Sequence, residues 1–287
     1  MIATARTLSK NEAKIVLDLE WRDQKVVTGA ELRSMLGASE GYARFMAHRL
    51  VQKGWLERVR PGLFQLVPAD RGPQGISDTN PLTTGALLAD RYFYSYGTAC
   101  THHGFTEQVF AEVYLACRTA VRPRKIRATR YVLVQLPEER FFGFEEVQVL
   151  GAKVKMATKE RALLDALDRP RYAGGLAEVS RIAAKAATKV SWKTLLDLVR
   201  RWDESAIVQR LGYFLDLHEV EVPKKIRHDL EGLVTPGNKV HLGPRREYGT
   251  GGRLVHPWGI IENVPREKLI AVERDHRTRR AFPRSPT

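Results

Sequence analysis

The chain has 287 residues, 43% of them hydrophobic and 28% charged, which is enough for one large or two ordinary domains with real cores. No apolar run approaches the roughly 20 residues that span a bilayer, Asn11, Glu12 and Asp18 leave no room for a signal peptide's apolar middle, and Cys100 and Cys117 are too few for a disulfide framework and lack zinc-ligand spacing. The expectation is therefore a cytoplasmic protein with reduced thiols and no membrane partner; its 47 basic against 33 acidic residues, a net charge of +14, favour an anionic partner such as nucleic acid.

Taken in order, Ser9 and Glu12 form a capping box that opens a first helix, with Ala13, Val16, Leu17 and Trp21 as its buried stripe. Residues 26–67 carry the clearest pattern. Thr28 and Glu31 cap a short helix that ends at Gly37, and Ser39 caps a second that runs to about Gly54. Strand-like alternation over 55–59 and 63–67 flanks Arg60-Pro61-Gly62, a turn with basic residues at its tip. Helix, tight turn, helix and hairpin in this order read as a winged helix-turn-helix.

A wheel at about 100° per residue sorts the second helix. Ala43, Met46, Ala47, Leu50 and Gly54 share the packing side. The opposite side carries Gly41, Phe45, His48 and Gln52, flanked by Arg44, Tyr42 and Arg49. Such a face supplies the donors, acceptors and apolar contacts that reading base edges in a major groove requires. The competing expectation is a helix packed on both sides, with Phe45 in a core.

A stretch rich in Pro, Gly and polar residues, 69–81, reads as a linker. Beyond it, 82–104 reads as two short helices, and 112–117, 131–136, 144–150 and 153–157 as strands, the last two joined by a turn at Gly151. Thr158 opens the helix ERALLDAL. From Gly174-Gly175 to about 233 the chain is strongly helical, with helices over 176–187, from the Ser191 cap, over 205–217 and from Pro223. Short strands near 240–242, 254–255 and 260–261 and a helix from Pro265 follow, then a basic tail, HRTRRAFPRSPT.

Most of the positive excess lies after Pro68. Arg118, Arg122, Arg124, Lys125, Arg127 and Arg130 come close together, with further pairs at Lys153 and Lys155, at Lys224 and Lys225, and at Arg245 and Arg246. Together these suggest that the larger domain also touches phosphates, Arg122, Arg124, Lys125 and Arg127 being the candidates. Enzyme chemistry finds little raw material. Glu145 and Glu146, with Lys153, Lys155 and Asp165, could serve a nuclease, but neighbours on a strand face opposite ways. Cys100, His102 and His103 lack a fourth metal ligand, and no phosphate loop, nucleophile elbow or cofactor fingerprint occurs. The expectation is a protein that is not an enzyme, with no metal and no cofactor.

YSYGTACTHHGFTEQVF, KMATKERALLDALDRPRYAGGLAEV, QRLGYFLDL and WGIIENVP, in that order behind a winged helix, resemble the AbiEi family of bacterial antitoxins over nearly the whole chain. The more specific pieces are Arg161-Ala-Leu-Leu-Asp165, Gly174-Gly175 and Gln209-Arg-Leu-Gly-Tyr-Phe-Leu215. The resemblance implies an antitoxin made beside a nucleotidyltransferase-like toxin. Its winged helix would bind inverted repeats in the operator DNA of its own promoter and repress it, while the larger domain neutralises the toxin and cooperates in DNA binding. It also implies that toxin and antitoxin need form no stable complex, and that the pair serves phage defence. Carried over by position, the DNA-binding residues are Tyr42, Arg44, Phe45, His48, Arg49 and Lys53 on the helix and Arg58 and Arg60 on the wing. Residues 241–252 match nothing in that pattern.

The resulting expectation is an α+β chain. A winged helix-turn-helix over 1–68 and a linker over 69–81 precede a larger mixed α/β domain over 82–275, with a small antiparallel sheet and a helical bundle, and a basic tail over 276–287. A stand-alone winged-helix regulator, or an antitoxin that binds its toxin directly, are the alternatives.

Overall fold

The protein's structure, a computed structural model, describes residues 6–71, 80–126, 128–149 and 152–270. The basic tail, Arg127 and the turn at Gly151 lie outside the described residues, as does most of the expected linker.

The N-terminal unit runs α1 (Lys10–Trp21), β1 (Val26–Thr28), α2 (Gly29–Leu36), α3 (Glu40–Gln52), β2 (Leu56–Arg60) and β3 (Leu63–Leu66). Both capping boxes form: Glu12 accepts from the Ser9 N–H at 2.7 Å, and Glu31 accepts from the Thr28 N–H at 2.7 Å. Gly37, left-handed at φ +58°, ends α2, and Ser39 accepts from the Tyr42 N–H to start α3. The stripe of α1 differs from expectation. Its buried residues are Glu12, Ile15, Val16 and Leu19, the i, i+3, i+4, i+7 set, whereas Leu17 and Trp21 lie on the flank and are 61% and 90% exposed. Three residues, Val26–Thr28, form a strand that pairs antiparallel with β3, giving a sheet ordered β1-β3-β2.

The larger unit begins at α4 (Pro81–Ala86), where the Asn80 side chain accepts from the Leu82 N–H and Pro81 takes the first helical position. There follow β4 (Tyr92–Tyr94), α5 (Tyr96–His102), β5 (Glu112–Cys117), β6 (Arg124–Ile126), β7 (Thr129–Gln135), β8 (Phe144–Val149) and β9 (Ala152–Ala157). Helices α6 (Lys159–Asp168), α7 (Leu176–Ala187), α8 (Trp192–Trp202), α9 (Ser205–Leu217) and α10 (Lys224–Gly232) come next. The described chain closes with β10 (Val240–His241), α11 (Arg245–Tyr248), β11 (Arg253–Val255), β12 (Ile260–Glu262) and α12 (Arg266–Ile270).

The main sheet, ordered β6-β7-β5-β4-β9-β8, is larger than expected and mixed rather than antiparallel. The reason is β4, which sits in a stretch that reads as helical. It pairs antiparallel with β5 and parallel with β9, and so joins two groups of strands that would otherwise stay apart. β5 and β7 are also parallel. Above the sheet, every residue of α6 from Glu160 to Leu167 is buried, because sheet, α7, α8 and α9 surround it.

Burying that much of one helix means burying two of its charges. Arg161 and Asp165, both 0% exposed, lie one turn apart: Nε donates to Oδ2 at 2.9 Å, and Nη2 comes within 2.9 Å of Oδ1 as an ion pair without hydrogen-bond geometry. Arg161 Nη1 also donates to the carbonyls of Arg140 and Phe142 at 2.7 and 2.9 Å, its guanidinium lies 4.5 Å from the Trp202 ring centre, and the Ser95 hydroxyl donates to Asp165. A planar fork pairs with a carboxylate and still has donors left for backbone oxygens, so this pair is held by much more than its own attraction. On α9, Gly212 lies directly under the Trp258 ring, which leaves no space for a β-carbon. The Trp258 indole N–H donates to Asp216, and Asp216 takes a two-pronged contact from Arg227.

Candidate nucleic-acid interface

α3 buries Ala43, Met46, Ala47 and Leu50, as the wheel requires, against α1, α2 and the hairpin. Gly54 falls beyond its end, at φ +74°, and closes the helix. The outer side is open. Phe45 is 51% exposed and Tyr42 38%, and Gly41, Arg44, His48 and Gln52 are exposed with them. An exposed Phe in the middle of a helix leaves apolar area in water that a thymine methyl or a stacked ring can cover. The Tyr42 hydroxyl accepts from Asn11 Nδ2 at 3.1 Å, and Arg44 pairs with Glu40 at 2.6 Å, both sides of that pair being exposed and exchangeable for a phosphate.

Arg49 and Lys53 have a different duty. Both reach Glu12, whose side chain is fully buried under α3, at 3.0 and 2.6 Å. Burial alone would push the Glu12 carboxyl up, but the hydrogen bonds from Lys53 and from Ser9 outweigh it and hold the carboxyl below its ordinary value of 4.5. Arg49 also lies 5.7 Å from the Phe45 ring centre. These two cations therefore fasten α3 to α1, with Lys53 the less exposed of them.

Beside the open face, α2, α3 and the hairpin enclose a groove of about 730 Å³ whose cationic walls are Arg33, Arg44 and Arg58, with His48 between them. Arg33 is a residue that sequence reasoning missed: it sits on the first helix of the pair, and only the tertiary approach of α2 to the hairpin brings it to the groove. The Gly29 N–H donates to the Gly62 carbonyl at 2.8 Å and sets that approach.

Arg60 turns the other way. Its guanidinium pairs with Asp90 at 2.9 Å, and next to it Val59 is fully buried in the core of the larger domain. A bulge between Arg58 and Arg60 explains the divergence, because it places neighbouring side chains of β2 on different surfaces. Arg124 Nη1 donates to the Val59 carbonyl at 3.1 Å, and the buried Thr84 hydroxyl bonds Gln65 at 3.1 Å. Arg60 and Arg124 thus join the domains. Arg122 and Lys125 are exposed. Glu146 pairs with Lys153 on the sheet's outer hairpin, His103 faces the Ala157 carbonyl, and burial pushes both adjacent imidazoles, His102 and His103, below their ordinary value. Among the described residues, no three His, Cys, Asp or Glu side chains converge as metal ligands.

Two capped helices, a closing hairpin and an open cationic groove make the N-terminal unit a winged helix-turn-helix of the regulator class. Residues 15–67 match the family model described as "Transcriptional regulator, AbiEi antitoxin", so the likeness to that family lies in this unit. The fold as a whole is similar to that of the RV2827C protein from Mycobacterium tuberculosis, a crystal structure, with a TM-score of 0.60 at 16% identity over 83% of this chain and 86% of that one. A likeness at that identity speaks for a common architecture. No match emerges among curated protein sequences. Among the described residues no helix is long and apolar enough to cross a membrane.

Proposed function

We propose that the protein is a non-enzymatic antitoxin that represses its own operon, with the winged helix reading inverted repeats in the operator and the larger domain opposing a nucleotidyltransferase-like toxin. The observation that carries this reading is the open outer side of α3, with Tyr42, Phe45 and His48 facing water beside a groove walled by Arg33, Arg44 and Arg58. Phosphate contacts from Arg33 and Arg58 would supply salt-dependent affinity, and the α3 residues, Arg44 among them, would choose bases. Repeated half-sites in the operator would be occupied by two copies.

The test is a shift assay at fixed salt on the chain's own promoter, run with the full chain and with Arg44→Ala and His48→Ala. Loss of preference for the promoter over random DNA, with melting unchanged, is the expected result; preference retained in both variants would refute the reading. Co-expression of the full chain with the neighbouring toxin gene tests the second half. Growth is restored if the larger domain opposes the toxin, and co-elution of the two proteins would replace an indirect mode with direct binding.

A further inference from the structure

A second cationic cavity, of about 870 Å³, opens between the α6–α7 turn, α9 and the segment of β10 and α11. Arg169 and Arg171 come from the turn, Arg210 from α9, and Lys239, His241 and Arg245 from the late segment. Two carboxylates share the lining. Asp168 is partly satisfied by Arg169 at 3.3 Å, and Glu247 is exposed at the rim.

Several features make this a built site rather than a coincidence of surface charge. Arg210 donates from Nη1 to the Leu167 carbonyl at 3.0 Å, yet its Nε is buried with no hydrogen-bond partner among the described residues. A buried donor of that kind is costly unless something accepts from it. Arg245 is aimed by its neighbour: Nε donates to His241 Nδ1 at 3.2 Å, and His241 Nε2 donates to the Thr250 carbonyl at 3.0 Å, which fixes the neutral ring's tautomer. The twelve-residue α7 starts at the cavity. Gly175, at φ +87°, leads into it with open space where a side chain would stand, and the first N–H groups of a helix have no partners within it. Leu176, Leu242 and Tyr248 give the lining an apolar part. Burial pushes the Asp168 carboxyl up and the Arg210 guanidinium down from their ordinary values.

We infer that this cavity binds a small phosphorylated ligand, the size and charge of a nucleoside di- or triphosphate. The volume is that of a small-molecule pocket, cations from three separate segments line it, as suits a polyphosphate, and an apolar wall is present for a base. The inference stands apart from the operator reading, since the groove beside α3 shares no residue with it.

The test is calorimetric titration of the full chain at fixed salt with inorganic pyrophosphate and, separately, ATP and GTP. It is run on the natural sequence and on Lys239→Ala with Arg245→Ala, two exposed positions chosen so that folding survives, and on Arg210→Lys. Binding of at least one nucleotide, weakened roughly tenfold or more in the double variant and in Arg210→Lys, with promoter affinity in the shift assay unchanged, is the expected result. No heat with any of the three probes overturns the inference, as does binding that the double variant leaves intact. Loss of DNA affinity without loss of nucleotide binding would also overturn it, because the cavity would then serve DNA.

Discussion

Each domain buries an acidic charge against basic partners, and the two solutions differ in what they leave for solvent. In the larger domain Arg161 and Asp165 are both sealed, and the guanidinium turns Nη1 to two backbone carbonyls and lies among aromatic rings. In the winged helix Glu12 is sealed, but its partners Arg49 and Lys53 stay partly in water along one edge of α3. A closed pair can only hold a structure together. An open one fixes α3 in place and still keeps positive charge at its surface.

Breaking the closed pair should give the largest effect. Asp165→Ala leaves a buried cation uncompensated and is expected to cost about 3–5 kcal/mol, seen in urea unfolding of the full chain as an earlier loss of the larger domain's signal. Glu12→Gln should cost less, because Arg49 and Lys53 can turn to water. It should also change the pH dependence. Glu12 is held below its ordinary value of 4.5, so its contribution is full above that pH and disappears as pH falls below it. Melting curves from pH 6 to pH 3 should show an acid-sensitive component in the natural chain that Glu12→Gln lacks; identical slopes would remove Glu12 from the account. On the open side, Arg58→Ala is expected to weaken binding to all DNA sequences alike and to lower the salt slope by about 1, with no change in melting. Smallest is Arg124→Ala, which removes one hydrogen bond across the junction, worth about 0.5–1.5 kcal/mol. Its readout is faster limited proteolysis between the domains with promoter preference kept, whereas an unchanged digestion rate would argue against Arg124 as a joint.

Much of the helical structure is legible in the sequence because its signals are local. Thr28 with Glu31, Ser39, Thr158 and Ser191 each mark a helix start by a bond that spans three residues, and helix 205–217 falls where its apolar pattern puts it. The open face of α3 is legible for the same reason. Strands of three residues are not: β1, β4 and β6 carry too few positions to show alternation, and each exists because a distant strand offers it a ladder. Charge is the least legible property. Arg44, Arg49, Arg58 and Arg60 look alike in one dimension, yet one faces the groove beside Glu40, one holds a buried carboxylate, one lines the groove from the hairpin, and one crosses to Asp90. The second cavity draws on segments near 170, 210 and 240, and the late one, 241–252, follows no recognisable pattern.

The small hairpin is held in common by both halves of the molecule. It carries the aliphatic floor of the winged helix on one surface, through Leu56 and Leu66, and on the other a valine sunk in its neighbour's interior, so neither half is whole without it. Cutting the chain near residue 70 would strip Val59 and Gln65 of their cover on one fragment and open a hole in the other. A tug on the hairpin by bound DNA would likewise be felt across the divide, as a door's movement is felt in its frame.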